Sequence, residues 1–500
     1  MADTKREIER KYESDESGLP DLTGVAGVEA VVDKGVAQLD ATYYDTVDER
    51  LAASSLTLRR RIGGSDAGWH LKFPVSPGVR DEIRAPLSDT LPDELAALVR
   101  SRVRDAELLP VVRLRSDRDV RDLLDAEGRL LAEVSVDAVH AERLSGGTGD
   151  VQWTEIEVEL ADGGDPVFLD KVEKRLRKAG VRPSKSASKL ARALAETAPK
   201  KPDPAPLEDP VTAGDHVLAY VRIQRDAIVE LDPAVRQDVE DSVHSMRVAT
   251  RRMRSTFKSY GTVLDRSVTD PIGDELKWLA GELGVDRDRE VLNERLTAAL
   301  DEVPQALVNG PIAERLAMWA GERPGGASGR LIGVLDSRRY LTLLDTLDAL
   351  IADPPVLKAA GQKPEKVLSK AVRKDFGKVT GLVEQALDLE PGTDRDVAVH
   401  EARKKTKRTR YAAEAAHPAL GKPTKDLVKS MKALQNLLGE HQDSVMARGT
   451  LRELSAVAHV AGESAFTYGL LYGREEQRAA AVEAELPGFW DGVKDGASAL

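Results

Sequence analysis

The hydrophobic period changes once along this chain, and the change falls at a proline-rich segment. Before residue 196, apolar residues recur at every second position in short runs. After residue 211 they recur at helical spacings. The stretch between, ETAPKKPDPAPLEDPV at residues 196–211, has proline at 199, 202, 204, 206 and 210, the composition of a semi-rigid extended spacer. A period of two builds strands and a period of 3.6 builds helices. The expected fold is therefore a multidomain α+β chain. Residues 1–195 form an antiparallel β domain with helices, and residues 212–490 form an all-α domain. A length of 500 residues leaves each part enough chain for its own core.

The helical part contains a duplicated motif. His244, Arg247, Arg251, Arg254 and Lys258 fall at i, i+3, i+7, i+10 and i+14, one face of a helix without an acid in the run. His400, Arg403, Lys407 and Arg410 repeat the first four spacings. Leu283-Gly284 with Asp288 follows the first copy, and Leu438-Gly439 with Asp443 follows the second. Lys277 and Lys432 each stand seven residues before their glycine. One register repeated at an offset of 155–156 residues marks an internal duplication, with repeats at about 212–305 and 335–490 and a glycine-containing loop near 325–329. A single basic face is usually a solvated surface. Two copies, in a chain of net charge −12, point instead to a polyanion that relieves the repulsion between like charges. Metal ligation by His244 or His400 is the weaker alternative, since neither has a His or carboxylate at i+3 or i+4 on its face. Asp288 and Asp443 suit caps or partners for the arginines.

Composition narrows the partners. No apolar run approaches the roughly 20 residues that span a bilayer, and MADTKREIER is too polar for a signal peptide. Cysteine is absent, which excludes disulfides and thiolate metal sites and fits a cytoplasmic protein. Aromatics at 4% and the acidic total argue against a nucleic-acid partner.

In the first part, many strands pair an apolar face with an ionisable one. Glu7, Glu9 and Lys11 share a face. Arg59 and Arg61 oppose Leu58, and Lys72 returns after a glycine-rich turn. Arg80, Glu82 and Arg84 align; Arg113 and Arg115 follow, with Arg118 beyond. Glu133 and Asp137 oppose Val134 and Val136, and Glu155, Glu157 and Glu159 oppose Ile156, Val158 and Leu160. An open sheet wetted on one face would also alternate. It does not explain a strand with three carboxylates in a row, which repel unless cations lie between them. Oxygen donors select Mg²⁺, Mn²⁺ or Ca²⁺, and Arg and Lys suit phosphate oxygens. A closed barrel with both sets inside would hold a metal–polyphosphate chain.

These residues carry a resemblance. Glu7-Ile8-Glu9-Arg10-Lys11, an E-x-E-x-K signature, stands with Tyr43-Tyr44-Asp45-Thr46, LRRR, LKFP, R-x-E at Arg80–Glu82 and EIEVEL. Together they resemble the CYTH, or triphosphate tunnel metalloenzyme, family over residues 1–195. The resemblance implies an eight-stranded antiparallel tunnel and a divalent cofactor, Mg²⁺ or Mn²⁺. It gives the metal side to Glu7, Glu9, Glu82, Asp137, Glu155, Glu157 and Glu159, with Glu7, Glu9 and Lys11 as the catalytic signature. It gives the phosphate side to Lys11, Arg59, Arg61, Lys72, Arg115, Arg118 and Lys189. H-x-x-R-V-x-x-R-R-x-R-S at His244, HEARKKTKRTRY and LLGEHQD resemble the CHAD, or conserved-histidine α-helical, family over residues 212–490. That family implies two related helical bundles and polyphosphate binding by His244, Arg247, Arg251, Arg254, Lys277, His400, Arg403, Lys407, Arg410 and Lys432.

Both halves thus suggest one ligand class. The leading expectation is metal-dependent hydrolysis of inorganic triphosphate or short polyphosphate in the tunnel, with the helical half holding longer polyphosphate. Such a protein would be cytoplasmic and could associate with polyphosphate granules. Two readings compete: a non-catalytic polyphosphate-binding or granule-targeting protein, and a nucleotidyl cyclase, which needs a base-recognition pocket that the sequence does not display.

Overall fold

A computed structural model describes residues 3–14, 18–197, 209–284, 287–321 and 327–497, which fall into two compact units, residues 1–205 and 206–500. Linker positions 198–208, Gly325-Gly326 and the side chain of Asp288 lie outside the described residues.

The first unit contains β1 (Asp3–Glu13), β2 (Ala30–Asp45), α1 (Arg50–Ala53), β3 (Thr57–Ile62), β4 (Gly68–Ser76), β5 (Val79–Pro86), α2 (Asp93–Val103), β6 (Leu109–Leu124), β7 (Leu130–Arg143), β8 (Asp150–Leu160), α3 (Val167–Lys178), β9 (Arg182–Pro183) and α4 (Lys189–Thr197). Its antiparallel strands run β5-β4-β3-β2-β6-β7-β8-β1, and β1 also pairs with β5, closing an eight-stranded barrel. β1 manages both closures by dividing its length. Asp3–Ile8 pair with β5, and Glu9–Glu13 pair with β8.

This barrel is polar inside and apolar outside. Ile156, Val158 and Leu160 pack beneath Phe168, Val172 and Leu176 of α3. Leu58, Trp69, Leu71 and Ile83 pack beneath Leu95, Leu98 and Val99 of α2, whereas Leu190 and Leu194 of α4 pack on Tyr43, Leu114, Val139 and Trp153, whose parity with Arg118, Asp137 and Glu155 places them on the inner face. Helices α2 and α3 therefore bury the outer strand faces, α4 packs on an apolar patch of the inner face, and the rest of the interior is left to charge. β2 is mostly exposed over its first half and bulges between Asp33 and Gly35, which breaks its alternation and hides it from a period-two search. The Tyr43-Tyr44-Asp45-Thr46 motif ends that strand. Asp45, fully buried, accepts hydrogen bonds from the backbone amides of Thr46, Leu51 and Ala52, which fixes the turn into α1.

The second unit is helical: α5 (Ala213–Arg236), α6 (Ser242–Ser259), α7 (Arg266–Glu282), α8 (Arg287–Asp301), α9 (Ile312–Gly321), α10 (Ala327–Asp336), α11 (Arg338–Ala352), α12 (Pro364–Asp388), α13 (Thr393–Leu420), α14 (Lys422–Val460) and α15 (Phe466–Ala497). A capping box starts α5 just after the spacer: Thr212 accepts from the Asp215 amide, and Asp215 accepts from the Thr212 amide. Residues from both repeats share one continuous core, including Met246, Met253 and Leu276 from the first and Val399, Met431 and Leu438 from the second. A smaller core joins α8, α9, α14 and α15. The helical periodicity predicts a single helix over 234–261, but the chain breaks between α5 and α6, where Asp238 and Asp241 take positive φ. It also predicts a break after Gly439, yet α14 runs through that glycine.

Candidate phosphate tunnel and basic helical face

The β1–β8 register sets the tunnel chemistry. Glu9 lies opposite Glu159, Lys11 opposite Glu157 and Glu13 opposite Glu155. On the far side of β8, Glu133 lies opposite Glu159 and Asp137 opposite Glu155. Glu9, Glu159 and Glu133 thus form a row of carboxylates across three strands. Like charges directly opposite one another are destabilising, so the row needs cations. Lys5 supplies one, 2.7 Å from Glu159. Burial, with Glu159 adding to it, pushes the Glu133 carboxyl above its ordinary value.

The barrel encloses a cavity of about 530 Å³ whose wall carries ten cationic and six anionic side chains. Its cations are largely engaged with the barrel's own carboxylates. Lys11 contacts Glu157 and lies 3.1 Å from Glu9. Lys72 bonds Glu7 and lies 3.3 Å from Glu82. Arg118 holds Asp137 at 2.7 Å and Glu157 at 2.8 Å. Lys189, at the start of α4, lies 3.0, 2.8 and 2.7 Å from Asp137, Glu155 and Glu157. Those three carboxylates each bring one oxygen within 4.8 Å of the others, a spacing that could hold a metal ion. Burial opposes the charge on Glu157, but Lys11, Lys189 and Arg118 drive its pKa well down. Burial pushes Glu7 up, against the pull of Lys72; burial also opposes ionisation of Glu9, but Lys11, Lys72 and Lys189 together outweigh it and lower its pKa.

The structure sorts the expected tunnel residues into layers. Glu7, Glu9, Lys11, Arg59, Arg61, Lys72, Arg118, Glu157, Glu159 and Lys189 line the cavity. Glu82, Asp137 and Glu155 are buried behind that wall. Arg115 is a correction: it is exposed and absent from the wall, because Arg118 points inward and a residue three positions away on a strand faces the other side. Several wall residues carry no expected role: Arg80, Arg84, Lys5, Glu133, Tyr43 and Asp66. Strand parity with Glu82, Glu7 and Asp137 could have found the first four. Tyr43 receives a hydrogen bond from Arg59 at 3.2 Å; burial opposes its ionisation, but Arg59, Lys189 and Lys72 lower its pKa. Asp66 comes from the β3–β4 turn and contacts Arg61. His70 lies beneath, with Nδ1 2.8 Å from Glu82 and Nε2 2.9 Å from the Asp66 carbonyl, tying the two together.

In the helical unit, α6 packs on α13, so the two basic faces meet. Burial pushes the Lys407 ammonium down to about 7; Arg403, Arg251 and Arg247 add to the shift, and Asp443 opposes it. The paired glycines acquire a reason. A Cβ on Gly284 would come within 2.3 Å of the Arg247 guanidinium, and one on Gly439 would meet Arg403 at 3.4 Å. Each repeat thus lays its first arginine across a bare glycine backbone. Arg403 also lies 3.9 Å from Asp443. Other expected residues stand elsewhere. Arg410 pairs with Glu414 at 3.3 Å and stacks on Tyr411. Arg254 is half-buried beside Lys258, which feels its charge. His400 is half-buried, with Nδ1 lacking a partner among the described residues. His244, Lys277 and Lys432 are exposed.

A closed antiparallel barrel with an acid-and-base interior, followed by a helical unit with a doubled basic face, defines a two-part class of protein. Family models agree: residues 5–194 match the CYTH domain and residues 219–452 the CHAD domain. The Mycobacterium tuberculosis (strain H37Rv) protein Rv2226 is 39% identical over 498 residues, covering 96% of this chain and 94% of its own. This chain belongs to the family of proteins that join a CYTH domain to a CHAD domain. Among solved structures, it is similar to PptA from Streptomyces chartreusis (20% identity, TM-score 0.46, covering 57% of this chain and 100% of that one). It is also similar to the CHAD domain from the plant Ricinus communis (25% identity, TM-score 0.42, 61% and 97%). CYTH domains are metal-dependent and typically act on triphosphates. Among the described residues no helix is long and apolar enough to cross a membrane.

Proposed function

We propose that the barrel hydrolyses inorganic triphosphate or short polyphosphate with a divalent metal, and that the helical unit binds longer inorganic polyphosphate. The observation that carries the first half is a barrel cavity whose wall carries ten cations and six carboxylates, with Glu82, Asp137 and Glu155 buried just behind it, a dense mixed-charge interior suited to a compact polyanion held together with a metal ion. The carboxylate row fits a metal. Glu9, Glu133 and Glu159 are hard oxygen donors in one line, with Glu7 on the Glu9 face of β1, and such sets suit Mg²⁺ or Mn²⁺. A divalent ion supplies charge neutralisation on phosphoryl oxygens and Lewis acidity. The chain's own part is positional. Arg118 is braced by Asp137, and Arg59 and Arg61 stand on adjacent inward positions of β3. Lys72 and Arg84 share the carboxylates of Glu7 and Glu82 and can turn to phosphate when a metal takes those oxygens. In-line phosphoryl transfer to water needs this positioning and charge rather than a covalent nucleophile.

The convergence of Arg247, Arg251 and Arg403 on Lys407 supports the second half, since like charges from two repeats act on one buried ammonium. The same reading puts the protein in the cytoplasm, where it could associate with polyphosphate granules. One observation favours the non-catalytic alternative: Lys11 and Lys189 already neutralise the inner carboxylates. Phosphate release from tripolyphosphate, long polyphosphate, ATP and thiamine triphosphate, with Mg²⁺ and with Mn²⁺, separates the readings. Turnover of tripolyphosphate that falls in Glu9→Gln supports hydrolysis. A folded wild type without turnover on any of the four leaves the binding reading.

A further inference from the structure

One cluster of ligand-type side chains in the helical unit takes no part in the phosphate-binding reading. His441 on α14 is fully buried. Its Nε2 lies 3.1 Å from Glu483 Oε1 on α15 and 3.4 Å from Asp396 Oδ1 on α13. Each carboxylate turns its other oxygen to an arginine. Glu483 Oε2 accepts from Arg395 at 2.7 Å, and Asp396 Oδ2 accepts from Arg448 at 3.2 Å. Arg395 is fixed in turn by donating to the carbonyl of Ala386 at 3.1 Å. A cavity of about 460 Å³ opens beside the cluster, with Asp396 and Glu483 on its wall.

Three helices therefore deliver one imidazole nitrogen and two carboxylate oxygens to a single point, all within 4.8 Å of one another. Two donors held about 2.1 Å from one ion, at tetrahedral or octahedral angles, lie roughly 3.0–3.4 Å apart. The observed separations from Nε2 match that range. His441 Nδ1 is buried without a partner among the described residues, so Nε2 alone orients the ring. As a hydrogen-bonding group the ring is poorly used: a single Nε2–H would be divided between two acceptors. The arginines stand where outer-shell partners of metal-bound carboxylates stand, each on the oxygen turned away from the shared point.

We infer that Asp396, His441 and Glu483 form a binding site for a divalent transition metal, Zn²⁺ or Mn²⁺, with Arg395 and Arg448 positioning the two carboxylates. An imidazole in the set selects against Mg²⁺. Two carboxylates balance the ion's charge, and its remaining positions face the cavity. Bound there, the metal clamps α13 to α14 and α15.

Chelator-stripped full-length protein titrated with Zn²⁺, and separately with Mn²⁺, by calorimetry tests the site. The arms are wild type, His441→Ala, the near-isosteric Glu483→Gln and the tunnel variant Glu9→Gln. The expected result is one equivalent of metal that Glu9→Gln retains and both helical-unit variants lose, with affinity down at least about 100-fold, more than outer-shell changes usually cause. Arg448→Gln should weaken the same equivalent by about tenfold. If His441→Ala misfolds, Glu483→Gln decides. A folded Glu483→Gln that binds metal like wild type overturns the assignment, as does a wild type whose every bound equivalent disappears in Glu9→Gln. Because that tunnel variant is in the same experiment, failure of the hydrolase reading and failure of this site give different patterns.

Discussion

The two units use the same cationic side chains in opposite electrostatic settings. In the barrel, Lys189 has three carboxylates within 3.0 Å, and Arg118 has two within 2.8 Å. In the helical unit, Lys407 is surrounded by Arg247, Arg251 and Arg403 with Asp443 as the opposing acid. Burial penalises the charge in both settings. Around Lys189 and Arg118 the barrel offsets that penalty with its own carboxylates, although burial with Arg59 and Arg118 still pushes Arg61 down to about 9. At Lys407 in the helical unit the penalty stands until a polyanion arrives. The contributions of Lys189 and Lys407 to folding therefore have opposite signs, and the substitutions below are chosen to expose that difference.

The largest expected effect is at Lys189. Lys189→Met leaves Asp137, Glu155 and Glu157 buried without their common partner, and unpairing a buried charge costs about 3–5 kcal/mol. Denaturant unfolding of metal-free protein should show that loss, and added Mg²⁺ or Mn²⁺ should restore part of it. Next comes Glu9→Gln, which keeps shape and removes one charge from the carboxylate row. Tripolyphosphate turnover should fall by at least about 100-fold, a loss of ~3 kcal/mol of transition-state stabilisation, while long-polyphosphate binding is unchanged.

A smaller effect is expected on the helical face. Arg251→Ala and Lys407→Ala should each weaken long-polyphosphate binding by about 1 kcal/mol and flatten its salt dependence, by analogy with single phosphate contacts on nucleic acids. Loss from one repeat alone would split the two faces into separate sites. The smallest effect is in pH. The folded-state pKa of Lys407 lies below its unfolded value, so between about 7 and the ordinary lysine range the folded protein binds fewer protons and gains stability as pH rises. A bound polyanion reverses that shift. Binding must then take up a proton, and affinity should decline as pH rises above about 7. Lys407→Arg should flatten the decline, as read by calorimetry in buffers of different ionisation enthalpy.

Much of this was legible in the sequence because both units advertise charge at a fixed period. Glu7, Glu9 and Lys11, and Glu155, Glu157 and Glu159, reveal their face by parity alone, and barrel closure brings the two sets opposite each other. Arg115 misleads because four arginines crowd one strand and parity must be counted from the right one. β2 is invisible where its bulge breaks alternation and its residues are exposed. The glycine echo was legible as a repeat but not as a cause, because the Arg247–Gly284 and Arg403–Gly439 contacts join different helices. His441 sits inside a motif singled out for its glycine and aspartate. Its partners lie 45 residues before it and 42 after, at Asp396 and Glu483, where no local spacing connects them. Helices α9, α10 and α15 likewise announce no motif, yet α10 and α15 pack into the shared core and α9 and α15 into the smaller one.

Thermal unfolding of full-length Lys407→Met beside wild type at neutral pH, each with and without long-chain polyphosphate, tests the contrast most directly. Removing a cation from among its like should stabilise the helical unit by a few tenths of a kcal/mol per repelling pair. The ligand-free variant should therefore melt at or above wild type and gain less from polyphosphate. A variant that melts lower without ligand, with the polyphosphate-induced gain unchanged, would contradict the account, because Lys407 would then be held by the fold as the tunnel cations are.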